Sequence, residues 1–499
     1  MESSTPNTQG ESTATRRAFL GTATALTAAS YQRVMGANNR LGVGFIGFGL
    51  IGKQHVTDFK KMNDIDIVGM CDAYKPRVAE ALSFIGNPKT QGYSDFRKML
   101  DNKDIQGVVV ATPDHWHALL TIMACAAGKD VYCEKPLTLF IDEGKWMLQA
   151  ARKNNRIVTV GTQRRQGAGV KAAKKVIDSG VLGKIHSVRM SGVRNIYPGF
   201  GKTPVTKPPA DFDYDMWLGP APNKPYQKHR GLYHFRWFWD FSGGQMTNLA
   251  AHLIDQVYWL MNTKGPTMAM STGGRFALED DGETPDVQQA TWLFRDNWIM
   301  DCVVREANGM TDPSARNILF LGTKGNLSLA GNYTITSETK IDPVNDIPKF
   351  VGHPIGGPIY TDVKPTAWLP QYPLASPPRG SGVGARGAAA PAAPAAPKAP
   401  AGGVASDPRY GTGGEDTMMM NERDWVDCMR SRKKPLCELE EGHRVAVASN
   451  LANMSLRLGR AIHWDPDKEV VIGDKEAQAA CVRPYRAPWD KVLRSIVTV

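Results

Sequence analysis

The sequence predicts an α/β protein with two unlike sheets, a parallel one first and a larger, mainly antiparallel one after it. Short, almost wholly apolar runs alternate with helical stretches from Leu41 to Gly161, as parallel strands buried on both faces do. From Lys184 onward long strands follow one another with short turns, which suits an antiparallel sheet. Between the first run and the first helix lies the turn Gly47-Phe48-Gly49-Leu50-Ile51-Gly52.

That turn has a definite chemistry. Gly47 permits a tight turn, and Gly49 lets the backbone approach a pyrophosphate. Gly52 lets the next helix pack close, so that its first N–H groups face the phosphates. The second strand, Asp66 to Asp72, ends in an acid that follows Gly52 by about 20 residues, where a carboxylate can take both ribose hydroxyls of an adenosine. A glycine triplet alone is often a mere loop. Set after a strand, before a helix and with an acid on the next strand, it predicts dinucleotide binding. Asp72, with no serine-arginine pair after it, favours NAD over NADP.

The remaining elements follow in order. Gly107–Thr112 reads as a strand, His117–Ala127 as a helix closed by Gly128, and Asp130–Cys133 as a strand. Ile141–Asn154 reads as a helix and Arg156–Gly161 as the sixth strand. Ligands of such sheets bind beyond the strands' C-terminal ends, where Asp72, Thr112 and Glu134-Lys135 fall. A helix over Val170–Ser179 leads into the strands Lys184–Arg194, Thr267–Phe276, Val287–Phe294 and Trp298–Arg305. A hairpin joins Arg316–Leu321 to Asn326–Ala330. Ala375–Ser406 is an Ala/Pro/Gly-rich stretch, expected to be disordered. Helices resume at Glu422–Arg430 and Gly442–Leu458, and the tail Arg483–Trp489 is irregular and aromatic-anchored.

Composition narrows the classes. A chain of 499 residues holds two or more domains. No apolar run is long enough to span a membrane. The net charge of +11 comes from scattered Lys and Arg, without a basic helix or aromatic-basic repeat, so neither nucleic acid nor membrane is the expected partner. Seven dispersed cysteines show neither C-x-x-C spacing nor a disulfide framework, and Cys71 and Cys133 read as small core residues. Arg16-Arg17-Ala18-Phe19-Leu20 before a weakly apolar Ala/Thr segment resembles a twin-arginine export signal, with cleavage near Ala29 to Ala37 and a periplasmic or exported destination.

Thr112-Pro113-Asp114-His115-Trp116-His117 and Cys133-Glu134-Lys135-Pro136 end successive strands. With the glycine turn they resemble the Gfo/Idh/MocA oxidoreductases, from about Leu41 through Trp489 with the Ala/Pro insertion outside. The resemblance implies a Rossmann domain, a second α/β domain with a large open sheet, and NAD as cofactor. It also implies a cis Lys135–Pro136 bond that aims the lysine at the nicotinamide. The expected organisation is a signal over 1–37, the NAD-binding domain over 38–162, and a substrate and oligomerisation domain over 163–374. The insertion then covers 375–414, and helices completing the domains cover 415–499. The cofactor site is expected at Gly47, Phe48, Gly49, Leu50, Ile51, Gly52, Asp72, Thr112, Pro113, His117, Glu134 and Lys135.

Hydride transfer from a carbinol carbon requires removing the hydroxyl proton or holding the developing alkoxide, which a lysine in a partly desolvated cleft can do. Asn248 and His252 lie one helical turn apart and share a face. Relatives commonly have D-x-x-x-H here, with the histidine as acid/base. His252 fits, whereas Asn248 carries no charge and holds no proton. Lys135, His252 and Asn248 are the expected catalytic residues. Gln163 and Arg164, with Arg165, are expected near substrate hydroxyls, alongside Asn248 and His252. Asp255 reads equally as a carboxylate supporting His252 or a surface charge. His234, Arg236, Trp237 and Trp239 suit either a sugar ring or the core. His115 and His117 lack a third ligand for a metal. The expected function is an exported NAD-dependent dehydrogenase of a sugar or polyol, self-associating through its second sheet as a dimer or tetramer. The alternatives are an NAD-dependent glycoside hydrolase or lyase working by transient oxidation, and a non-catalytic NAD- or sugar-binding protein.

Overall fold

The computed structural model describes residues 40–308, 318–340, 366–375 and 416–499. The twin-arginine segment and almost all of the Ala/Pro/Gly-rich stretch lie outside these residues. Six parallel strands form the first sheet: β1 (Leu41–Ile46), β2 (Ile65–Cys71), β3 (Gln91–Tyr93), β4 (Gly107–Val110), β5 (Asp130–Cys133) and β6 (Val158–Val160). Their order is β3-β2-β1-β4-β5-β6. It reverses between β1 and β4, the switch point at which such sheets open a crevice beyond their strand ends. The crossovers are α1 (Leu50–Phe59), α2 (Lys75–Ile85), α3 (Phe96–Leu100), α4 (His117–Ala126) and α5 (Ile141–Lys153). β4 and β5 are buried along their whole length, which is why they read as unbroken apolar runs.

After α6 (Ala168–Asp178) comes the second sheet. Its strands are β7 (Ile185–Val193), β8 (Met268–Gly274), β9 (Val287–Phe294), β10 (Trp298–Arg305), β11 (Ile318–Gly322), β12 (Gly325–Ala330) and β13 (Asn332–Ser337). A separate short pair, β14 (Thr339–Lys340) and β15 (Thr366–Ala367), follows; β16 (Ile462–Asp465) and β17 (Val470–Val471) then complete the larger sheet. The order β13-β12-β11-β7-β10-β9-β8-β16-β17 is antiparallel except where β7 meets β10. The chain between that parallel pair carries α7 (Tyr214–Leu218), α8 (Gly244–Met261) and the β8–β9 pair, ample for a crossover. Burial alternates along β9 and β10, so Ala290, Trp292 and Cys302 face the core while Leu293 faces out.

Two C-terminal helices return to different sheets. α9 (Thr417–Ser431) inserts Trp425, Val426 and Met429 into the core that holds Phe59 and Tyr132 of the first sheet. α10 (Leu439–Leu458) packs Ala448 and Leu451 with Ile254 of α8 and Trp292 of β9. Beyond α11 (Lys475–Ala479), the tail is anchored as expected. Trp489, which starts α12 (Trp489–Ile496), lies against Trp116 and Phe96 with ring centroids 4.9 and 6.0 Å away. All seven cysteines are free and buried, Cys71 and Cys133 among them.

Candidate active site

The glycine turn follows from three different constraints. Gly47 has φ +96°, and a Cβ there would lie 2.5 Å from the Ala111 carbonyl oxygen. A Cβ on Gly52 would lie 2.1 Å from the Gly47 oxygen, so α1 packs against the turn only because Gly52 has none. A Cβ on Gly49 would meet nothing within 4 Å. That open space faces the start of α1, whose N-cap is Gly49 and has no side-chain cap, leaving the first N–H groups for a ligand. Asp72 closes the far side: Oδ2 accepts from the Phe48 N–H and Oδ1 from the Tyr74 N–H, each at 2.9 Å. Burial pushes the Asp72 carboxyl up, against the Arg77 guanidinium 4.0 Å away and these two amides.

A cleft with a cavity volume of about 100 Å³ opens beyond the turn. Gly49, Asp72, Thr112 and Pro113 line it, together with Trp217, Tyr233 and Arg236. Thr112 Oγ1 is buried without a hydrogen-bond partner. An open phosphate cradle, a carboxylate at ribose distance along the chain and an orphaned hydroxyl fit a dinucleotide. Leu50 and Ile51 line the same cleft. Phe48 does not: its ring is 3% exposed in the sheet core and its N–H is spent on Asp72, so it shapes the turn without offering a contact.

Deeper in the chain's fold, Lys135 stands on the cis Lys135–Pro136 turn that the resemblance implied. Its Nζ donates to Asn248 Oδ1 at 2.7 Å, and Asn248 Nδ2 donates to Gln245 Oε1 at 2.9 Å. His252, one turn further along α8, has a buried Nδ1 without a hydrogen-bond partner. Burial lowers the Lys135 ammonium to about 8; Arg236 and Arg164 add to this, while Glu134 and Asp114 oppose it. His252 falls well below the usual imidazole range, first by burial and then through the charges of Lys135 and Arg164. At neutral pH the centre thus holds an ammonium donor beside a neutral imidazole with a free nitrogen.

Several expected residues have other duties. His117 is buried, with Nδ1 2.7 Å from the Pro136 oxygen and Nε2 2.9 Å from the Thr112 oxygen. It ties two strand ends together beneath the cleft instead of lining it, because both nitrogens are occupied by backbone. Glu134 is 3% exposed and bonded to His55 and to the Lys135 N–H, so it too is no cofactor contact. Arg165 is buried and forks onto Asp255 at 2.7 and 2.8 Å, which removes it from any substrate. Asp255, fully buried in that pair, is neither a surface charge nor a partner of His252. Gln163 Oε1 is buried without a partner, and Arg164 acts electrostatically on both Lys135 and His252. His115 bonds the Trp217 carbonyl at 2.9 Å, and Asp114 accepts from Ser242 Oγ.

Arg236 belongs to the aromatic-basic run that suits either a sugar ring or the core. It lines the same cleft as the glycine turn, with its guanidinium 4.9 Å from the centre of the Phe235 ring. His55 and Glu422 went unnoticed as site residues. His55 sits one turn past the glycines, but nothing in its spacing points to a partner hundreds of residues away.

The chain belongs to the Gfo/Idh/MocA oxidoreductase family. Residues 41–162 match its NAD-binding Rossmann-fold domain, and 166–272 with 416–491 match its C-terminal α/β domain. Inositol 2-dehydrogenase of Salmonella typhimurium is 30% identical over 146 residues, 29% of this chain and 43% of that protein. Levoglucosan dehydrogenase of Pseudarthrobacter phenanthrenivorans is 34% identical over 155 residues, 30% of this chain and 40% of that one. The chain therefore spans less than half the length of these curated relatives. In fold, a levoglucosan dehydrogenase solved with NADH and levoglucosan superposes with a TM-score of 0.57 at 19% identity, over 85% of this chain and 99% of that one. The WlbA dehydrogenase of Bordetella pertussis, in complex with NADH and UDP-GlcNAcA, gives 0.56 at 18% identity over the same shares.

Proposed function

We propose that this protein is an NAD-dependent oxidoreductase moving hydride between a hydroxyl-bearing carbon of a sugar or polyol and nicotinamide. The observation that carries it is the Lys135–Asn248 contact of 2.7 Å beside an imidazole held neutral, at the strand ends of an NAD-binding domain. NAD, when bound, supplies the hydride acceptor. The chain's own residues handle the proton. His252 takes it from the substrate hydroxyl, and the Lys135 ammonium donates to the same oxygen as negative charge develops there. Asn248, where relatives commonly have aspartate, cannot shuttle a proton; its amide oxygen instead holds the lysine in place. The names of the relatives, inositol and levoglucosan dehydrogenases, support a polyhydroxylated substrate.

The test is a panel of sugars and polyols with the NAD-loaded protein, followed by NADH absorbance. A substrate that yields persistent NADH in the wild type and none in His252→Ala supports the reading. Cleavage of a glycoside with wash-in of solvent deuterium and no net NADH would replace it by oxidation-assisted elimination.

Two further parts of the reading rest on separate support. The Arg16-Arg17 segment supports export, which fractionation of the native host would test. Met270 and Leu293, 49% and 43% exposed on the outer face of the second sheet, support self-association, which light scattering would test.

A further inference from the structure

Behind the lysine turn lies a closed ionisable cluster that the chemistry above does not use. Glu134 at the end of β5, His55 on α1 and Glu422 on α9 meet there, none more than 3% exposed. His55 Nε2 is 3.1 Å from Glu134 Oε1, and Nδ1 is 2.6 Å from Glu422 Oε1. The second oxygen of Glu134 accepts the Lys135 backbone N–H at 3.1 Å. Gly161 leaves room for this carboxylate, since a Cβ there would stand 2.5 Å from Glu134 Oε1.

Buried charges persist only when paired and hydrogen-bonded. Burial opposes charge on all three groups, and the balance differs at each. At His55 the two carboxylate bonds outweigh burial, so the ring keeps its proton far above the usual imidazole range. Glu134 has two cations beside it, His55 and Lys135, and stays ionised despite burial. Glu422 shares only His55, has Asp58 and Asp416 as like-charged neighbours, and leaves Oε2 without a partner, so burial pushes it up. One cation and one anion remain, with the anion against the lysine turn.

We propose that His55 and Glu422 are positioning residues for Lys135: they keep Glu134 fixed and ionised, and Glu134 holds the lysine turn and favours its ammonium. The inference rests on the reading of Lys135 as the donor to the substrate oxygen. The groups facing the ammonium are Glu134 and Asp114, which favour it, and Arg164 and Arg236, which oppose it; His252 on α8 is neutral. Loss of the Glu134 charge would leave the two arginines opposed by Asp114 alone.

The experiment is pH-dependent trace acetylation of Lys135 in the full chain with acetic anhydride, followed by mass spectrometry. It needs no turnover, so it reports on the cluster even if no sugar is oxidised. The wild-type midpoint is expected near 8. Glu134→Gln should lower it by about one pH unit. His55→Gln should lower it similarly, because a buried carboxylate stripped of its cation takes up a proton. Glu422→Gln replaces a group that is already uncharged and keeps an oxygen acceptor for His55 Nδ1, so it should lower the midpoint less. The double variant Glu134→Gln/His55→Gln should titrate with Glu134→Gln alone. An unchanged midpoint in folded His55→Gln would make the cluster merely structural, and an upward one would mean that His55 acts on the lysine directly. Either result overturns the proposal. Should His55→Gln fail to fold, identical midpoints for wild type, Glu134→Gln and Glu422→Gln overturn it equally.

Discussion

The phosphate end of the site and its lysine end are built on opposite plans. The phosphate end is one continuous stretch, β1 through Asp72, and its working parts are backbone: a left-handed glycine, an uncapped helix start and two amides that orient a carboxylate. The lysine end is assembled from distant segments, the ends of β4 and β5, the turns at 163–166 and 234–237, and α8. Its working parts are charges, and each depends on its neighbours. His55 and His252 make the contrast concrete. His55, fully buried, faces the carboxyl groups of Glu134 and Glu422 and keeps its proton, whereas His252, half-buried, faces Lys135 and Arg164 and gives its proton up. A motif can specify backbone geometry by itself. It cannot specify the ionisation of a side chain whose partners lie elsewhere.

Variants at the lysine end should therefore damage turnover without touching affinity for the cofactor. Lys135→Ala is expected to lower kcat by about 10²-fold or more while NAD titration stays near wild type, as removal of a positioned proton-transfer group does. Normal turnover in that variant would break the comparison. At the other end, Asp72 should set cofactor choice. A 2′-phosphate near its carboxylate costs on the order of 4 kcal/mol at an effective dielectric of about 20, partly offset by Arg77, so NAD should bind tighter than NADP by at least about tenfold. Asp72→Ser should narrow that ratio, and equal affinities in the wild type would contradict the assignment.

The glycines sharpen the same contrast. Gly49→Ala adds a methyl to open space, so the melting temperature should hold while NAD affinity falls about tenfold, the equivalent of about 1.4 kcal/mol. Gly52→Ala drives a methyl into the Gly47 carbonyl and should cost about 1–3 kcal/mol of stability, measured by denaturant unfolding. Similar effects of the two on both readouts would mean that Gly49 has no ligand-facing role.

What could be read in the sequence follows this division. The first sheet, the glycine turn and Asp72 are legible because their requirements are local: strand length, φ sign and spacing. β9 and β10 were placed to the residue, since alternating burial over eight positions leaves little slack. His117 and Glu134 sit in motifs that also carry Thr112 and Lys135, and the motif alone does not say which members face the ligand. Arg165 is a clearer case. An arginine beside a strand end suggests substrate, yet Asp255, 90 positions away in sequence, takes one edge of its guanidinium, and Glu441 and the Leu436 carbonyl take the remaining nitrogen. Glu422 was invisible for the same reason, being separated from His55 by the second sheet and the insertion.

The smallest expected effect is the most diagnostic of how the lysine end works. If the ammonium is the donor and neutral His252 the acceptor, oxidation needs Lys135 protonated and His252 unprotonated. Burial and the neighbouring arginines bring Lys135 to about 8, so kcat should be flat at neutral pH and fall by half near pH 8. The acid limb should lie well below the usual histidine range, because His252 resists protonation there. A rate that rises through pH 8 would make the free amine of Lys135 the base. Arg236→Gln supplies the control. It removes a cation that disfavours the ammonium, so the alkaline limb should move to higher pH, whereas a guanidinium important only for packing would leave the limb in place.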